Sequence, residues 1–486
     1  MPFIEADQAE DAYDVVIGGT GFGALFLLHR ILETQPRARV LMLEWGSLRD
    51  VSWQIAERRN AEIADVDTFT TTPGEKPWNF TIGFGGGTNC WGGQTPRLHP
   101  SDFQLRSKYG VAVDWPVTYD ELEPYYLAAE QIMQIAGSNE WGLHYPRSGP
   151  YPQPPHAMST VDTMLKAAMP DLHFPNSAAR LRIPMNGRGS CCSSDDCSFC
   201  PTGARFTVHN ALMHLFDPER VHVALGAKVL AVETAAGRAT GLRYVANGEE
   251  RVARGDLVVL GCNAIHTPFI MMRSGLSHPI LGRYLHEKQI LQYEVFLDGV
   301  DHFDGVMPVS GMNISLLDGE HRREAGAALV GIVNSWRSGI YRSGLRPEYG
   351  RWRQVLPLEI FVEDIPLETN GVFDEGGDMP VVRHPTRSEY AARGVARVEE
   401  KLPELLASLP VERIARLQDA LTGSHVQGTV RMGTDPAASV VDKDMLHHEV
   451  RNLMVVGTAV FPTCGTGNPS LTAAALSLRA AQRLAA

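Results

Sequence analysis

Two segments near the C-terminus carry side chains suited to acid–base chemistry on an alcohol. His425 begins the segment His-Val-Gln-Gly-Thr-Val-Arg-Met-Gly, and Asn468 begins Asn-Pro-Ser-Leu-Thr before an alanine-rich stretch. A neutral imidazole is basic near working pH, so His425 is a candidate to take a hydroxyl proton. The Asn468 amide is a candidate to hold the oxygen as negative charge develops on it. The pair predicts an enzyme that removes a hydride from an alcohol.

Each of these two residues also has a purely structural explanation. A single histidine is commonly a buried side chain whose hydrogen bonds are satisfied within the fold. Asn-Pro-Ser before a helical segment is typical of a helix start, which makes Asn468 a candidate N-cap. The N-cap and the catalytic role are compatible at Asn468.

A glycine-rich turn near the N-terminus predicts the cofactor that such chemistry needs. The turn lies between an apolar strand, 13–17, and an apolar helix that begins near Leu25. Its first glycine permits a tight turn, its second lets the backbone approach a pyrophosphate, and the small third residue lets helix and strand pack closely. Glu44 ends the next predicted strand, where a carboxylate binds ribose hydroxyls. The predicted cofactor-contacting residues of the turn are Gly19, Gly21, Phe22, Gly23 and Ala24.

The fingerprint by itself leaves three alternatives open. NAD and FAD both fit it, and a tight turn with no ligand is the structural alternative.

The composition is that of a globular chain and excludes several classes of function. The 486 residues are enough for two or three domains. A net charge of −12 argues against nucleic acid, and it is compatible with a cationic substrate, although solubility alone explains it. No apolar run approaches the length of a membrane span, so none is expected. The acidic N-terminus lacks a signal-peptide pattern, which predicts a cytoplasmic protein.

A second glycine-rich segment, 83–97, reads Gly-Phe-Gly-Gly-Gly-Thr-Asn-Cys-Trp-Gly-Gly-Gln-Thr-Pro-Arg. Further motifs are Asp-Trp-Pro from Asp114, Leu-Gly-Cys-Asn-Ala-Ile-His-Thr-Pro from Leu260 and Leu-Gly-Arg-Tyr-Leu-His-Glu from Leu281. With the N-terminal turn and the His425 and Asn468 segments, the chain resembles the glucose–methanol–choline flavoprotein family from end to end. It is most similar to the sugar-oxidising branch that includes pyranose oxidase.

The resemblance implies FAD rather than NAD, and an α/β fold. A Rossmann-type FAD-binding domain would carry an inserted substrate domain built on an antiparallel sheet. The expected boundaries are 1–285 for the first FAD-binding part (with an irregular insertion at 140–190), 286–424 for the substrate domain and 425–486 for the second FAD-binding part. His425 and Asn468 would be the family's catalytic pair, and Val229 would meet the adenine edge through its backbone. The implied FAD contacts beyond the turn are Glu44, Thr88, Asn89, Cys90, Gly92, Gly93, Val229, Gly457, Asn468, Pro469 and Ser470.

Cys90 occupies the position at which members of that branch often carry a histidine bound covalently to flavin. A thioether to the flavin 8α-methyl group is chemically feasible. A non-covalent flavin beside an inert buried thiol is the alternative that we expect.

Four of the seven cysteines fall within ten residues, a density that points to metal or redox chemistry in a cytosolic chain. The segment ends in Cys-Pro-Thr-Gly-Ala and resembles the large subunit of bacterial FAD-dependent glucose dehydrogenases, in which a three-iron cluster lies between flavin and a cytochrome partner. This implies a 3Fe–4S cluster and an electron acceptor protein. The last gap in the segment is one residue shorter than in that group, and zinc, a disulfide or free thiols are the alternatives. The implied ligands are Cys191, Cys197 and Cys200, with Cys192 as a neighbour.

The sequence thus predicts FAD-dependent oxidation of an alcohol group on a sugar, glycoside or amino-sugar-type substrate. A flavoprotein lyase of the same fold and a non-catalytic electron-transfer subunit are the alternatives. No residue pattern within 286–424 identifies the alcohol. Residues 396–421 are predicted to be helical. Side chains with the chemistry to face a sugar are Trp336, Tyr341, Trp352 and Glu363.

Overall fold

The computed structural model describes residues 2–5, 8–10, 12–194, 197–335 and 350–484. Trp336 and Tyr341, two of the side chains expected to face a sugar, lie outside the described residues. The strands, numbered in chain order, are β1 (Phe3–Ile4), β2 (Tyr13–Gly18), β3 (Val40–Glu44), β4 (Thr70–Thr71), β5 (His173–Pro175), β6 (Val221–Leu225), β7 (Lys228–Ala235), β8 (Arg238–Ala246), β9 (Glu249–Leu260), β10 (Gln289–Leu297), β11 (Val309–Asn313), β12 (Ala328–Val333), β13 (Val355–Val362), β14 (Gly371–Phe373), β15 (Val381–Arg383), β16 (Val411–Arg416) and β17 (Leu453–Val455). The α-helices are α1 (Phe22–Thr34), α2 (Val51–Glu57), α3 (Leu105–Tyr109), α4 (Tyr119–Met133), α5 (Thr160–Ala168), α6 (Asn263–Arg273), α7 (Glu389–Leu405) and α8 (Ser470–Leu484).

The first βαβ unit forms where the apolar runs predict it. β2 and β3 pair in parallel, and α1 crosses between them. Both strands are almost entirely buried, as a sheet covered on both faces requires. Together with β1, β6, β9 and β17 they form the parallel part of one sheet, and β7 and β8 extend it as an antiparallel meander. The Rossmann-type sheet expected from the sequence is therefore confirmed.

A second, antiparallel sheet has the order β16-β10-β13-β12-β11-β5 in the described part of the chain. One face of it buries aliphatic side chains against α5 and α7. β5 and α5 come from 140–190, which was expected to be an irregular insertion of the FAD-binding part. The structure instead pairs β5 with β11 of the antiparallel sheet. The division at 285 and 424 stays a prediction.

The predicted helix at 396–421 is wrong in its second half. α7 ends at Leu405, and β16 follows as an edge strand paired with β10. Pro410 separates the two elements, and a proline cannot continue the hydrogen-bond pattern of a helix. Tertiary pairing with β10 then decides the conformation of the following residues.

The C-terminal helix α8 packs against α1 and α4 of the N-terminal third of the chain. Its small alanine side chains are buried against α1 and α4, and the hydroxyls of Tyr126 and Thr472 are hydrogen-bonded at 2.7 Å. Residues at the starts of α1 and α8 line the same cavity. Among the described residues, no helix has the length and apolar character needed to cross a membrane.

Buried ion pairs of Arg322 connect Asp102, which follows the second glycine-rich segment, to Glu363, which follows β13 of the antiparallel sheet. Arg322 is fully buried and donates to Asp102 at 2.7 Å and to Glu363 at 2.9 Å. Glu363 is thus committed to a structural contact and does not face a substrate.

Candidate active site

A cavity of about 1210 Å³ lies between the Rossmann-type sheet and the antiparallel sheet. The carboxyl ends of β2, β3, β9 and β17 open into it, which is where ligands bind in parallel α/β sheets. Ile290 and Phe361 reach it from the antiparallel sheet. The predicted site residues that line this cavity are Gly19, Gly21, Phe22, Gly23, Glu44, Cys90, Gly92, Gly93, Val229, His425, Gly457, Asn468, Pro469 and Ser470.

The N-terminal turn fits a bound dinucleotide. Gly19 adopts a φ of 91°, and a Cβ on Gly23 would lie 2.5 Å from the Gly457 backbone nitrogen, so both glycines are required by the backbone. The space around Gly21 is open toward the cavity. No side chain caps α1, which leaves the N–H groups at its start available to an anion such as a pyrophosphate.

Glu44 keeps capacity for a ribose. It is buried at the cavity wall, where one carboxylate oxygen accepts the Thr20 hydroxyl at 2.6 Å and the other accepts the Gly46 N–H at 3.0 Å. Each carboxylate oxygen has a further lone pair that can accept a ribose hydroxyl. Burial raises the pKa of Glu44, and these hydrogen bonds oppose the rise.

Aromatic side chains that the sequence did not single out surround this part of the cavity. The Trp45 ring lies 5.7 Å from the His266 ring, and the Lys228 ammonium lies 4.4 Å from the Trp45 ring centre. Burial lowers the pKa of His266 to about 4, so its imidazole is neutral. His266 belongs to the motif that begins at Leu260. Val229 lines the same cavity, and its contact with adenine stays a prediction.

Three predicted cofactor contacts support the cavity from behind. Ala24 is buried in α1, beside the position that a Cβ on Gly261 would occupy. The Thr88 hydroxyl accepts the Val208 N–H at 3.2 Å, and the Asn89 amide donates to the Phe84 carbonyl at 2.7 Å. These residues shape the walls and do not themselves line the cavity.

Cys90 lines the cavity, as the resemblance implies. Burial raises the pKa of its thiol, which reduces the thiolate fraction that could attack a flavin methyl group. The thiol is therefore better suited to contact a flavin than to form a bond with it.

His425 and Asn468 come together although 43 residues separate them in the sequence. Asn468 Nδ2 lies 3.1 Å from His425 Nε2, and both residues line the cavity. His425 Nδ1 and Asn468 Oδ1 are shielded from solvent and have no hydrogen-bond partner among the described residues. A small polar ligand such as an alcohol would satisfy groups of this kind. Burial, helped by the positive charge of Lys288, lowers the pKa of His425 to about 3, so the imidazole is an unprotonated base.

The wall contributed by the antiparallel sheet differs from the expectation. Glu359 and Phe361 of β13, Ile290 of β10 and Ala420 line the cavity. Trp352 is instead a partly exposed side chain that packs against Phe303. Alternation along a strand decides which side chains face a cavity, and the sequence does not reveal which face that will be.

Cys191, Cys192, Cys197 and Cys200, together called the cysteine run, do not assemble into a set of metal ligands. No group of three His, Cys, Asp or Glu side chains able to hold a metal exists within the described residues. Cys192 is exposed, the Cys197 sulfur accepts from Arg180 at 3.4 Å, and the Cys200 sulfur lies 3.8 Å from the Thr202 hydroxyl. As described, the donor geometry does not fit the predicted 3Fe–4S cluster.

Two features of the run nevertheless connect it to the cavity. The Ser198 hydroxyl donates to the Cys90 carbonyl at 3.1 Å, and Phe199 lines the cavity itself. Arg205 donates to the Asn89, Trp91 and Ser198 carbonyls, which fastens the run to the second glycine-rich segment. The cysteines therefore lie directly behind the wall that contains Cys90.

Comparison with known proteins identifies the family. Residues 81–290 and 391–477 match the GMC oxidoreductase family, and these regions include the second glycine-rich segment, His425 and Asn468. The chain belongs to the GMC oxidoreductase family. It is therefore an FAD-dependent oxidoreductase that acts on CH–OH groups, and the resemblance drawn from the sequence is confirmed.

Relatives of this GMC oxidoreductase cover nearly its whole length. The fructose dehydrogenase large subunit of Gluconobacter japonicus is 27% identical over 97% of this chain and 97% of its own. The 6'''-hydroxyparomomycin C oxidase of Streptomyces lividus is 28% identical over 99% of this chain and 93% of its own. Among solved structures, pyridoxine 4-oxidase from Mesorbium loti has a TM-score of 0.68 at 20% identity, over 97% of this chain and 99% of its own, which confirms the fold.

Proposed function

We propose that this GMC oxidoreductase oxidises an alcohol group of a sugar, glycoside or amino-sugar-type substrate to a carbonyl, with His425 as the base. The observation that carries the proposal is the His425–Asn468 pair, whose Nε2 and Nδ2 atoms lie 3.1 Å apart in a cavity lined by both residues that also fits FAD. Two relatives are named for fructose and for 6'''-hydroxyparomomycin C, which supports a polyhydroxylated substrate.

The chain's own residues account for the proton and for the oxygen. The substrate hydroxyl would approach both side chains from the cavity, accepting from the Asn468 amide and donating to His425 Nε2. As the carbonyl forms, the hydroxyl proton passes to His425 and the C–H bond electrons leave as hydride. Bound FAD supplies the acceptor for that hydride. Asn468 stabilises the negative charge that develops on the oxygen.

A screen of alcohols tests this function. Purified, flavin-loaded protein would be mixed anaerobically with sugars, amino sugars and glycosides, and its flavin absorption band would be followed. We expect at least one of these alcohols to bleach the band and to yield the carbonyl product. A lyase or a non-catalytic electron-transfer subunit would give no bleaching with any alcohol.

The route by which electrons leave the flavin is a second question, which concerns the cysteine run. Arg180, Arg188 and Arg205 are buried there and form no ion pair with any carboxylate of the described residues. Uncompensated buried cations favour thiolates nearby. Burial opposes the change, yet hydrogen bonds from the Arg205 backbone and the Thr202 hydroxyl, with the Arg205 charge, lower the pKa of Cys200. Burial instead raises the pKa of Cys197, so the charge surroundings favour a thiolate at Cys200 only, and the described sulfur positions do not form a metal site.

Iron and acid-labile sulfide analysis of anaerobically purified protein decides this question. Stoichiometric iron and sulfide, with an EPR signal after oxidation, would establish the predicted 3Fe–4S cluster and a dehydrogenase that serves an acceptor protein. Their absence, together with four titratable thiols in the run, would leave the flavin as the last redox group of the chain.

A further inference from the structure

We propose that two consecutive residues, Glu287 and Lys288, position the catalytic pair: Glu287 fixes the His425 segment and Lys288 fixes the Asn468 segment. We call these two residues the bracket. The inference rests on the proposed function, because it assigns how His425 and Asn468 are held for that reaction.

Glu287 is fully buried, and its carboxylate is committed to the segment before His425. Oε1 accepts the Gly423 N–H at 2.6 Å and the His425 N–H at 3.1 Å. The Thr422 hydroxyl donates to the same carboxylate at 3.0 Å. The Thr422 hydroxyl and the N–H groups of Gly423 and His425 are therefore all held by the Glu287 carboxylate. Charge-assisted hydrogen bonds of this kind are stronger than neutral ones.

A buried ion pair allows this carboxylate to remain charged. The Lys76 ammonium donates to Glu287 Oε2 and lies 3.2 Å from the ring centre of Trp78. Burial opposes ionisation of Glu287, but the charge and hydrogen bond of Lys76 hold its pKa below the usual range. Lys76 is thus the counter-charge of the bracket, 211 residues away in the sequence.

Lys288 does for Asn468 what Glu287 does for His425. Its ammonium is buried and donates to the Thr466 carbonyl at 3.1 Å and to the Gly467 carbonyl. Gly467 directly precedes Asn468, so Lys288 anchors the backbone that carries the amide. Side chains of successive residues in extended backbone point to opposite sides, which lets neighbours reach two different segments. Two adjacent residues of one short segment therefore hold the backbone of both catalytic side chains, and this fixes the distance between them.

The backbone before the bracket adds a third fixed point. His286 and Gln427 exchange backbone hydrogen bonds at 3.0 and 3.3 Å, which places 286–288 in register with the His425 segment. A Cβ on Gly423 would lie 2.6 Å from Ile290 Cδ1 and 3.0 Å from His425 Nδ1. A larger residue at 423 would therefore press on both Ile290 and the imidazole.

The two bracket residues act on the imidazole with opposite charges. The Lys288 charge lowers the pKa of His425, the Glu287 charge raises it, and Lys76 lowers it further. The other charged or titratable groups that act on the bracket are Arg387 and His384 around Glu287 and Lys76, and Asp102, Glu363 and Cys464 around Lys288. Removing Lys288 should therefore raise the pKa of His425, whereas removing Glu287 should lower it.

The first test separates hydrogen bonding from charge at Glu287. Glu287→Leu removes the acceptor, while the double variant Glu287→Gln/Lys76→Met keeps an acceptor and leaves no unpaired charge. Glu368→Gln, at an exposed position, is the matched control. Flavin content and the limiting rate of anaerobic flavin reduction by an active alcohol would be measured for each.

We expect Glu287→Leu to bind flavin and to lower the limiting rate about 100-fold, because small misplacements of a catalytic group have effects of that size. The concentration of alcohol at half-maximal rate should stay unchanged, since the bracket does not touch the substrate. The double variant should lie within about tenfold of the unmodified enzyme, the worth of a net hydrogen bond. Should Glu287→Leu fail to bind flavin because the Lys76 charge is left unpaired, Glu287→Leu/Lys76→Met, which removes that charge as well, takes its place with the same expected fall in rate.

The second test reads the charge. Lys288→Met should slow flavin reduction and move the acid limb of its pH profile to higher pH, because His425 then protonates more easily. A residue with only a structural role would change the rate or the stability without moving that limb.

The outcomes distinguish this inference from the function on which it rests. If no alcohol reduces the flavin of the unmodified enzyme, the proposed function fails. If alcohols do reduce it, and His425→Ala is slow while the Glu287→Leu variants keep the full rate, the assignment of Glu287 is overturned. An unmoved pH profile in Lys288→Met would overturn the assignment of Lys288.

Discussion

His425 combines two properties that a base for alcohol oxidation requires. It is unprotonated because burial and the Lys288 charge lower its pKa, and it reaches the cavity next to Asn468. A neutral imidazole can accept a proton at once, and the charge that results lies near the Glu287 carboxylate, which favours it. The same surroundings thus suit the proposed base and would stabilise its protonated form.

Removal of the imidazole should separate chemistry from cofactor binding. We expect His425→Ala to lower the limiting rate of flavin reduction by about 100- to 10,000-fold, the usual contribution of a general base. Flavin should remain bound, because the walls built by Gly19, Glu44 and Val229 are untouched. The measurement is stopped-flow reduction with the flavin-to-protein ratio determined in parallel. A variant with unimpaired reduction would refute the assignment of His425.

The pH dependence of flavin reduction follows from the state of the same residue. Since the pKa of His425 is about 3, the imidazole is unprotonated from about pH 5 upward. The rate of reduction should therefore show no acid limb between about pH 5 and about pH 8. Rapid-reaction measurements across this range, each with the flavin content checked, test the expectation. A midpoint near the ordinary value of histidine would show that the base is solvated instead.

At the scale of elements, the contact between the start of α1 and the end of β17 decides whether the cofactor turn forms. Gly23 lies against the Gly457 backbone, while Gly21 faces open space. The two glycines are therefore required for different reasons, although both belong to one fingerprint. Gly23 is required by packing within the protein, whereas Gly21 allows a ligand to approach the backbone.

A pair of alanine substitutions separates these two reasons. Gly23→Ala should destabilise the flavin-free protein by about 1–3 kcal/mol, the usual cost of overpacking, because its Cβ would lie 2.5 Å from the Gly457 nitrogen. Gly21→Ala should leave that stability unchanged and weaken only flavin binding. Denaturant unfolding of flavin-free protein and flavin titration are the two measurements. Equal stabilities of the two variants would contradict this account of the turn.

At the scale of the whole molecule, several histidines are buried, and burial lowers their pKa values. Burial is the main cause of the lowered pKa of each, to about 4 for His156, His266 and His286 and to about 3 for His384 and His425. The unfolded chain binds protons on these residues below about pH 6.5, whereas the folded chain does not. Stability that is present above that pH is therefore lost as the pH falls toward the folded values.

The free energy of unfolding should fall steeply between about pH 6 and about pH 4, although the carboxylates of the protein are still ionised there. Each such histidine contributes a slope of about 1.4 kcal/mol per pH unit between about pH 6 and about pH 4. Thermal unfolding at pH 7, 6 and 5 measures the effect, and His156→Gln, which lies outside the cavity lining, should reduce the slope. A melting temperature that is constant over this range would show that these histidines are protonated in the folded state.

Much of the fold and of the site could be predicted because its signals are local. The turn from Gly19 to Ala24, the acid at Glu44 and the helix start after Asn468 each depend on a few neighbouring residues whose backbone requirements are specific. The capping box of α4, in which the Thr118 hydroxyl accepts the Glu121 N–H, is another such signal. Local sequence by itself therefore determined the Rossmann-type unit, and it supplied the predicted place of the cofactor and the candidate catalytic pair.

The tertiary structure alone decided what surrounds that pair. Glu287 reaches a segment 138 residues away, and Lys288 reaches one 178 residues away, so no local pattern could reveal their partners. Which face of β13 points at the cavity, how β5 joins the antiparallel sheet and where the cysteine sulfurs lie were decided in the same way. The physical reason is that burial, ion pairing and strand register depend on long-range packing, whereas turns and helix caps depend on the residues next to them.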